Sequence, residues 1–261
     1  MSPQTRRVLV ALGGIPLLLG CVYLGEWPLT ALVALIGLLA VQEGYDLLAP
    51  GAPRSALWGL RAFALAAPIA VLVEGSANLI PLALGTALIG VMPAMRCEPR
   101  EGARSVTAVL TLLAYPLTCL LFVLWLREES GWPMVFFLLA LIWVGDTAAY
   151  EGGRRTGKRP LAPQLSPKKT IEGAIWALAG SLLVAGVTWW RWPGGRSVLW
   201  FAAAAMVVWF LGMVGDLFES LLKRAAGVKD SSRLLSDHGG VLDRFDSLFF
   251  ATVGLYYLTH W

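Results

Sequence analysis

Charge is scarce in this chain. Asp, Glu, Lys and Arg make up 15% of its 261 residues, against about 25% in an ordinary soluble domain. Cysteine is scarcer still. Cys21, Cys97 and Cys119 are odd in number and far apart, which excludes a disulfide framework and a zinc site. No Ser-His-Asp or Cys-His set suggests a covalent nucleophile. What the chain has instead is apolar surface: 57% hydrophobic residues with 12 Trp, and a mean hydropathy of +0.67. A soluble protein of this size could not bury so much, so the excess must face lipid. Disorder and collagen-like structure are excluded by the same composition.

A spanning helix needs roughly 20 predominantly apolar residues. Nine candidates lie between the charges, near 8–25, 27–42, 56–73, 75–95, 105–126, 132–150, 173–190, 197–215 and 247–261. The expected fold is therefore all-α, a polytopic integral membrane protein of about nine transmembrane helices. Cytoplasmic loops collect Lys and Arg. With nine spans and the N-terminus inside, 18 of the 21 basic residues fall on the inner side, and only Arg127, Arg191 and Arg196 fall outside. Acidic Glu26, Glu74, Glu128 and Glu129 also fall outside. That alternation predicts a cytoplasmic N-terminus and an external C-terminus. Arg6-Arg7 and the apolar run ending at Cys21 resemble a lipoprotein signal, but the bulky Leu19 and the eight further segments favour a first membrane helix.

Residues 1–130 read as a scaffold of membrane helices, and no cluster of titratable groups before residue 145 suggests chemistry. Arg96 to Arg104 reads as a basic orientation turn. Residues 131–261 read as the catalytic part, with two long polar cytoplasmic segments, 146–172 and 216–246. Long polar connections in a protein of short loops are usually functional, and these two lie on the same side of the membrane. Asp146 closes an apolar run, where a carboxylate is costly unless paired or hydrated. Ser166-Pro167 reads as a helix start, with Ser166 as N-cap and Pro167 at the first helical position. Free N–H groups there, with Lys168 and Lys169, would form an anion pocket. Gly152 to Arg159 nearly spells a P-loop but ends in Arg159 where Ser or Thr is needed, and has no βαβ context.

If the eighth helix continues past Asp216, then Asp216, Glu219, Ser220, Lys223 and Arg224 share a stripe. Lys229 follows, and then His238, Gly239 and Gly240, a loop whose backbone can come close to a ligand. Asp243 and Asp246 stand three apart around Arg244 at the start of the last helix. Capping at a helix N-terminus explains one acid there, not two flanking an arginine. Hard carboxylates favour Mg²⁺ held together with substrate phosphates, and clustered cations favour phosphates. Phosphoryl or nucleotidyl transfer needs no covalent nucleophile, because positioning and charge neutralisation do most of the work. The residues thus point to a Mg²⁺-dependent transferase acting on a nucleotide or phosphate at the inner leaflet.

Ser220-x-x-Lys223-Arg224-x4-Lys229-Asp230, followed by His238-Gly239-Gly240-x-x-Asp243-Arg244-Phe245-Asp246, closely resembles the signature of the phosphatidate cytidylyltransferases, the CDP-diacylglycerol synthases. The stretch from Trp143 and Asp146 to Glu172-Gly173 is similar to a second block of that family. One departure is Ser236-Asp237, where the family commonly has Pro-Gly. The resemblance implies a membrane homodimer that converts CTP and phosphatidate to CDP-diacylglycerol and pyrophosphate with Mg²⁺, and leaves room for a second cation. It implies a bacterial inner membrane, an active site facing the cytoplasm, contact with membrane lipid and no nucleic acid. Asp216, Asp243 and Asp246 would hold the metal, with Asp146 as a further candidate ligand. Lys223, Arg224 and Arg244 would grip phosphates beside these catalytic acids. Ser166, Lys168, Lys169, Ser220, Lys229, His238, Gly239 and Gly240 would line the substrate site, and either wall could take the triphosphate. Rival readings are a related CTP-dependent transferase or kinase with another lipid acceptor, and a transporter.

Overall fold

The computed structural model describes residues 3–74, 79–232 and 239–261, with the side chains of the first stretch described from 13 to 73. The chain is an all-α integral membrane protein. Among the described residues, six helices are long and apolar enough to cross a membrane. Each of the nine expected segments overlaps helix: α1 (Pro3–Leu24), α2 (Glu26–Leu48), α3 (Ala56–Glu74), α4 (Leu79–Ala94), α5 (Pro99–Leu112), α6 (Cys119–Ser130), α7 (Trp132–Thr156), α8 (Ile171–Arg191), α9 (Val198–Ala225) and α10 (Leu242–Thr259). The fifth expected segment overlaps both α5 and α6, which a π-helical turn, Leu113–Thr118, joins into one 32-residue span. Pro116 lies in that turn. A proline cannot donate to the helical ladder and crowds the preceding turn, and a widened π turn is one way to absorb it.

Two compact units divide the chain. The first comprises Met1–Trp132 with Ala225–Arg244, and the second Pro133–Arg224 with Phe245–Trp261. In the first unit, α2 packs on α3 and α5, and α4 on α3 and α5. The α3 residues Leu57, Leu60, Phe63, Ala64, Ala67 and Val71 are buried, while Trp58, Leu65, Ile69 and Val73 on the other face are exposed. Both faces are apolar, so the outer one suits lipid. Glu98 caps α5, its side chain accepting from the Arg100 amide at 3.2 Å, so the basic turn expected at 96–104 is largely the first turn of a helix. Arg127 binds the open C-terminal carbonyls of α1, donating to Val22 O at 2.7 Å and Tyr23 O at 3.0 Å.

In the second unit, small residues let α7 and α8 approach closely. A Cβ on Gly153 would lie 3.3 Å from Gly173 Cα, and one on Gly180 only 2.9 Å from Ala148 Cβ. Interfaces of this kind replace the hydrophobic drive that lipid removes. Trp209 Nε1 donates to Ala174 O at 2.8 Å and Ser181 Oγ to Leu141 O at 3.2 Å, tying α9 to α8 and α8 to α7.

The connection between α7 and α8 corrects one expectation. Ser166 does not start a helix. Ser166–Thr170 is a strand, β2, paired antiparallel with β1 (Pro160–Ala162). Pairing with β1 keeps the chain extended beyond Pro167, so the helix begins only at Ile171. The true N-cap of α8 is Thr170, whose hydroxyl accepts from the Gly173 amide at 3.1 Å.

Candidate active site

The second unit encloses a cavity of about 570 Å³ walled by α7, α8, α9, the hairpin and Ser247 of α10. Most of its wall is apolar, with Leu141, Ala177, Val208 and Trp209 among the lining residues. Its charged residues are Asp146, Arg154, Lys168, Lys169 and Asp216, and Ser166 lies among them. Five of these six were expected from the sequence to lie at the site.

Chain continuity brings them together. Helix α7 runs ten residues past Asp146, to Thr156, so Asp146 sits within the helix rather than at its end. Helix α9 likewise runs past Asp216 to Ala225, as the expected stripe requires. Strand β2 then brings Lys169 to Asp216, and Lys169 Nζ pairs with Asp216 Oδ2. The hairpin that carries Lys169 is secured by Glu172. Its carboxylate accepts from the amides of Lys158 at 3.0 Å and Arg159 at 3.1 Å, and from Arg159 Nε at 2.9 Å. At the hairpin tip, Arg224 Nε donates to Leu165 O at 3.1 Å.

The electrostatics are those of several acids gathered around Lys169. Asp146 and Asp246 are near enough to act on each other as like charges, and both act on Lys169. Burial holds the Lys169 ammonium below the ordinary lysine range, opposed by the charges of Asp246, Asp146 and Glu219. Gly215 is required at the α9–α10 approach, because a Cβ there would strike the Asp246 carbonyl oxygen. Lys223 Nζ lies 3.1 Å from Glu219 Oε1, one helical turn away on α9, and Glu219 is fully buried. Ser220 is buried on the same helix.

The remaining expected residues lie in the first unit or near its end. Lys229 is exposed, as is Arg244, whose amide donates to Val241 O at 3.0 Å. His238, with Ser236 and Asp237, lies outside the described residues. Gly239 has φ +76°, a conformation that favours glycine. Asp243 is engaged by its own loop: Oδ2 accepts from the Ser231 amide at 3.0 Å, Ser231 Oγ at 2.8 Å and the Gly240 amide at 2.8 Å. The reach back to Gly240 has the form of a capping box.

The first unit also holds a residue that the sequence reading passed over. Glu43 of α2, 5% exposed, accepts from Ser232 Oγ at 2.6 Å, the Leu242 amide at 3.0 Å and Ser231 Oγ at 3.4 Å. Glu43, on a helix read as scaffold, thus binds the segment that carries the signature. One signal was available, a carboxylate inside an apolar span. Its partners were not, because they lie almost 200 residues away.

From residue 5 to residue 261 the chain matches the cytidylyltransferase family. The chain belongs to that family. It is 31% identical to the phosphatidate cytidylyltransferase of Synechocystis over 97% of this chain and 95% of that one. It is 36% identical to the enzyme of that name from Aquifex aeolicus over 65% of this chain and 63% of the relative. With the Brucella suis enzyme of the same name the identity is 46%, over 49% of this chain and 47% of the relative.

Proposed function

We infer that the chain transfers the cytidylyl group of CTP to phosphatidate, giving CDP-diacylglycerol and pyrophosphate. Family membership and the names of the relatives support this reading. The observation that carries it in the structure is the cavity of the second unit, where an apolar wall meets Asp146, Asp216, Ser166, Lys168 and Lys169. A substrate with acyl chains and a phosphate needs both surfaces.

In the reaction, an oxygen of the phosphatidate phosphate forms a bond to the α-phosphorus of CTP. The bond from that phosphorus to the bridging oxygen of the β-phosphate breaks, and pyrophosphate leaves with the electron pair. The attacking oxygen is already anionic, so the protein need not remove a proton. Lys168, Lys169 and the Ser166 hydroxyl bind and orient phosphate oxygens, replacing the water that a buried anion would lose. Lys223, Arg224 and Arg244, with Lys229, Ser220 and the His238–Gly240 segment, enter the proposal from the signature.

Among the described residues, no three His, Cys, Asp or Glu side chains gather closely enough to hold a metal alone. Mg²⁺ usually takes one or two carboxylates and completes its shell with phosphates and water, and Asp146 and Asp216 on one cavity fit that requirement. From the signature, Asp216, Asp243 and Asp246 enter the proposal as ligands of the ion, with Asp146 as a further candidate and room for a second cation. Bound there, Mg²⁺ would neutralise charge on the reacting phosphates and the departing pyrophosphate. The rest of the proposal is a homodimer in a bacterial inner membrane with nine crossings, its N-terminus and site cytoplasmic and its C-terminus outside.

The test mixes purified protein in detergent or nanodiscs with phosphatidate, labelled CTP and Mg²⁺. The expected result is labelled CDP-diacylglycerol that disappears in excess chelator. Label in another lipid phosphate but never in phosphatidate would overturn the assignment.

A further inference from the structure

A carboxylate in a membrane-spanning helix costs several kcal/mol unless its neighbours satisfy it. Glu43 is such a group, near the C-terminal end of α2, and its donors come from one place. Oε1 takes the Ser232 hydroxyl, and Oε2 takes the Leu242 amide and the longer contact from Ser231. The two oxygens therefore hold Ser232 and Leu242 at one carboxylate, although ten positions separate them in the chain. Holding two ends of a segment together is what an uncrosslinked loop otherwise loses to chain entropy.

Ser231 links this grip to Asp243. Its hydroxyl lies 2.8 Å from Asp243 Oδ2 and 3.4 Å from Glu43 Oε2, and its amide also donates to Asp243. A hydroxyl has one proton to donate, so the short contact to Asp243 is the hydrogen bond that forms. Gly240 completes the arrangement. A Cβ there would collide with Ser231 Oγ and come within 2.8 Å of Glu43 Cδ, so the second glycine of the His-Gly-Gly run is the one that lets the carboxylate in.

We propose that Glu43 is a positioning residue for the transferase, setting Asp243 by holding the Leu242 amide beside it and Ser232, the neighbour of the Ser231 that binds it. The proposal rests on the activity inferred above. It assigns to the N-terminal helices a part in the reaction, exercised without contact to substrate.

Glu43→Gln keeps the shape and one acceptor oxygen but loses the charge and one acceptor. It is expected to lower kcat for CDP-diacylglycerol about 10- to 100-fold, the scale of a misplaced reacting group, while KM for CTP moves less than about twofold. Ser231→Ala and Ser232→Ala remove donors and leave α2 untouched. Ser231→Ala added to Glu43→Gln should cost little beyond the worse single variant, because the two act through one path. Independently of activity, hydrogen exchange should show faster exchange at the Leu242 and Gly240 amides in Glu43→Gln, with α3 and α4 protected as in the wild type.

Wild-type kcat and KM together with wild-type protection at 240–242 would overturn the proposal. So would loosening across the whole first unit, which would make Glu43 a packing residue. A wild-type protein that makes no CDP-diacylglycerol would overturn the assigned activity alone, and the exchange measurement would still decide whether Glu43 holds the segment. If Glu43→Gln fails to fold, the serine variants carry the same kinetic test, and unchanged kcat in both refutes it.

Discussion

Lys169→Met removes the ammonium that pairs with Asp216 and acts on Asp146 and Asp246. Its two side chains, Lys169 and Asp216, are 30% and 29% exposed, between the two regimes for which ion pairs are well characterised. Exposed pairs contribute about 0–1 kcal/mol, and breaking a fully buried one costs about 3–5 kcal/mol. The intermediate burial puts the cost here at about 1–3 kcal/mol. For a chain of this size, each kcal/mol moves Tm by about 2–4 °C, so the expected drop is roughly 2–12 °C without divalent cation. A metal ion would replace the missing charge, so Mg²⁺ should raise the Tm of Lys169→Met more than that of the wild type, by linkage. Activity should not return with it, because no cation in that place restores the donor to the phosphate. A loss of at least ~10²-fold is expected, the scale of one electrostatic contact made in the transition state. The assay is unfolding at matched scan rates in one detergent, with and without Mg²⁺, beside initial rates with saturating CTP. Wild-type Tm together with wild-type rate would refute the reasoning, and an Mg²⁺ response equal to the wild type's would refute the shared-charge part of it.

Asp243→Asn should lower both stability and activity. Oδ2 accepts three hydrogen bonds from the loop, and charge-assisted bonds are roughly twice as strong as neutral ones, so about 1–3 kcal/mol should be lost. Asp246→Asn should leave stability within about 1 kcal/mol of wild type, because it relieves repulsion with Asp146, yet cut turnover at least ~10²-fold; unfolding and initial rates measure both. Without metal, stability should rise with pH between the depressed folded pKa of Lys169 and the ordinary lysine value. In that window the unfolded chain still binds a proton that the folded one has released. The rise should vanish in Lys169→Met. Single cysteines at positions 158 and 229 in a Cys-free protein should resist an impermeant thiol reagent added outside intact cells. Labelling of either would contradict the cytoplasmic placement of both polar segments.

The helices were legible because lipid imposes a simple rule on composition, and apolar runs between charges report it directly. The convergence of Asp146, Lys169 and Asp216 was legible for a related reason: a charge at the edge of a span is expensive, so each marked itself. Where the reading went wrong, the local pattern allowed two outcomes. An extended residue before a proline suits a helix cap and a strand alike, and the pairing of Ser166–Thr170 with β1 decided for the strand. Glu43 was illegible in a different way. An acid in an apolar helix announces a cost, but nothing nearby in the chain announces who meets it.

That separation bears on how the protein is made. Glu43 finds its donors at sequence distances of 188 to 199 residues. At about 5–20 residues per second, α2 is synthesised roughly 10–40 s before Leu242 leaves the ribosome. Through that interval the carboxylate sits in a membrane helix without the partners it will keep, and the helices around it must assemble regardless. The signature segment is among the last pieces made, and a chain halted before residue 242 lacks Asp243 and the Leu242 amide that Glu43 accepts. Incomplete products would reach the bilayer folded in their helices but unable to consume CTP, so the order of synthesis itself withholds activity until the chain is nearly whole.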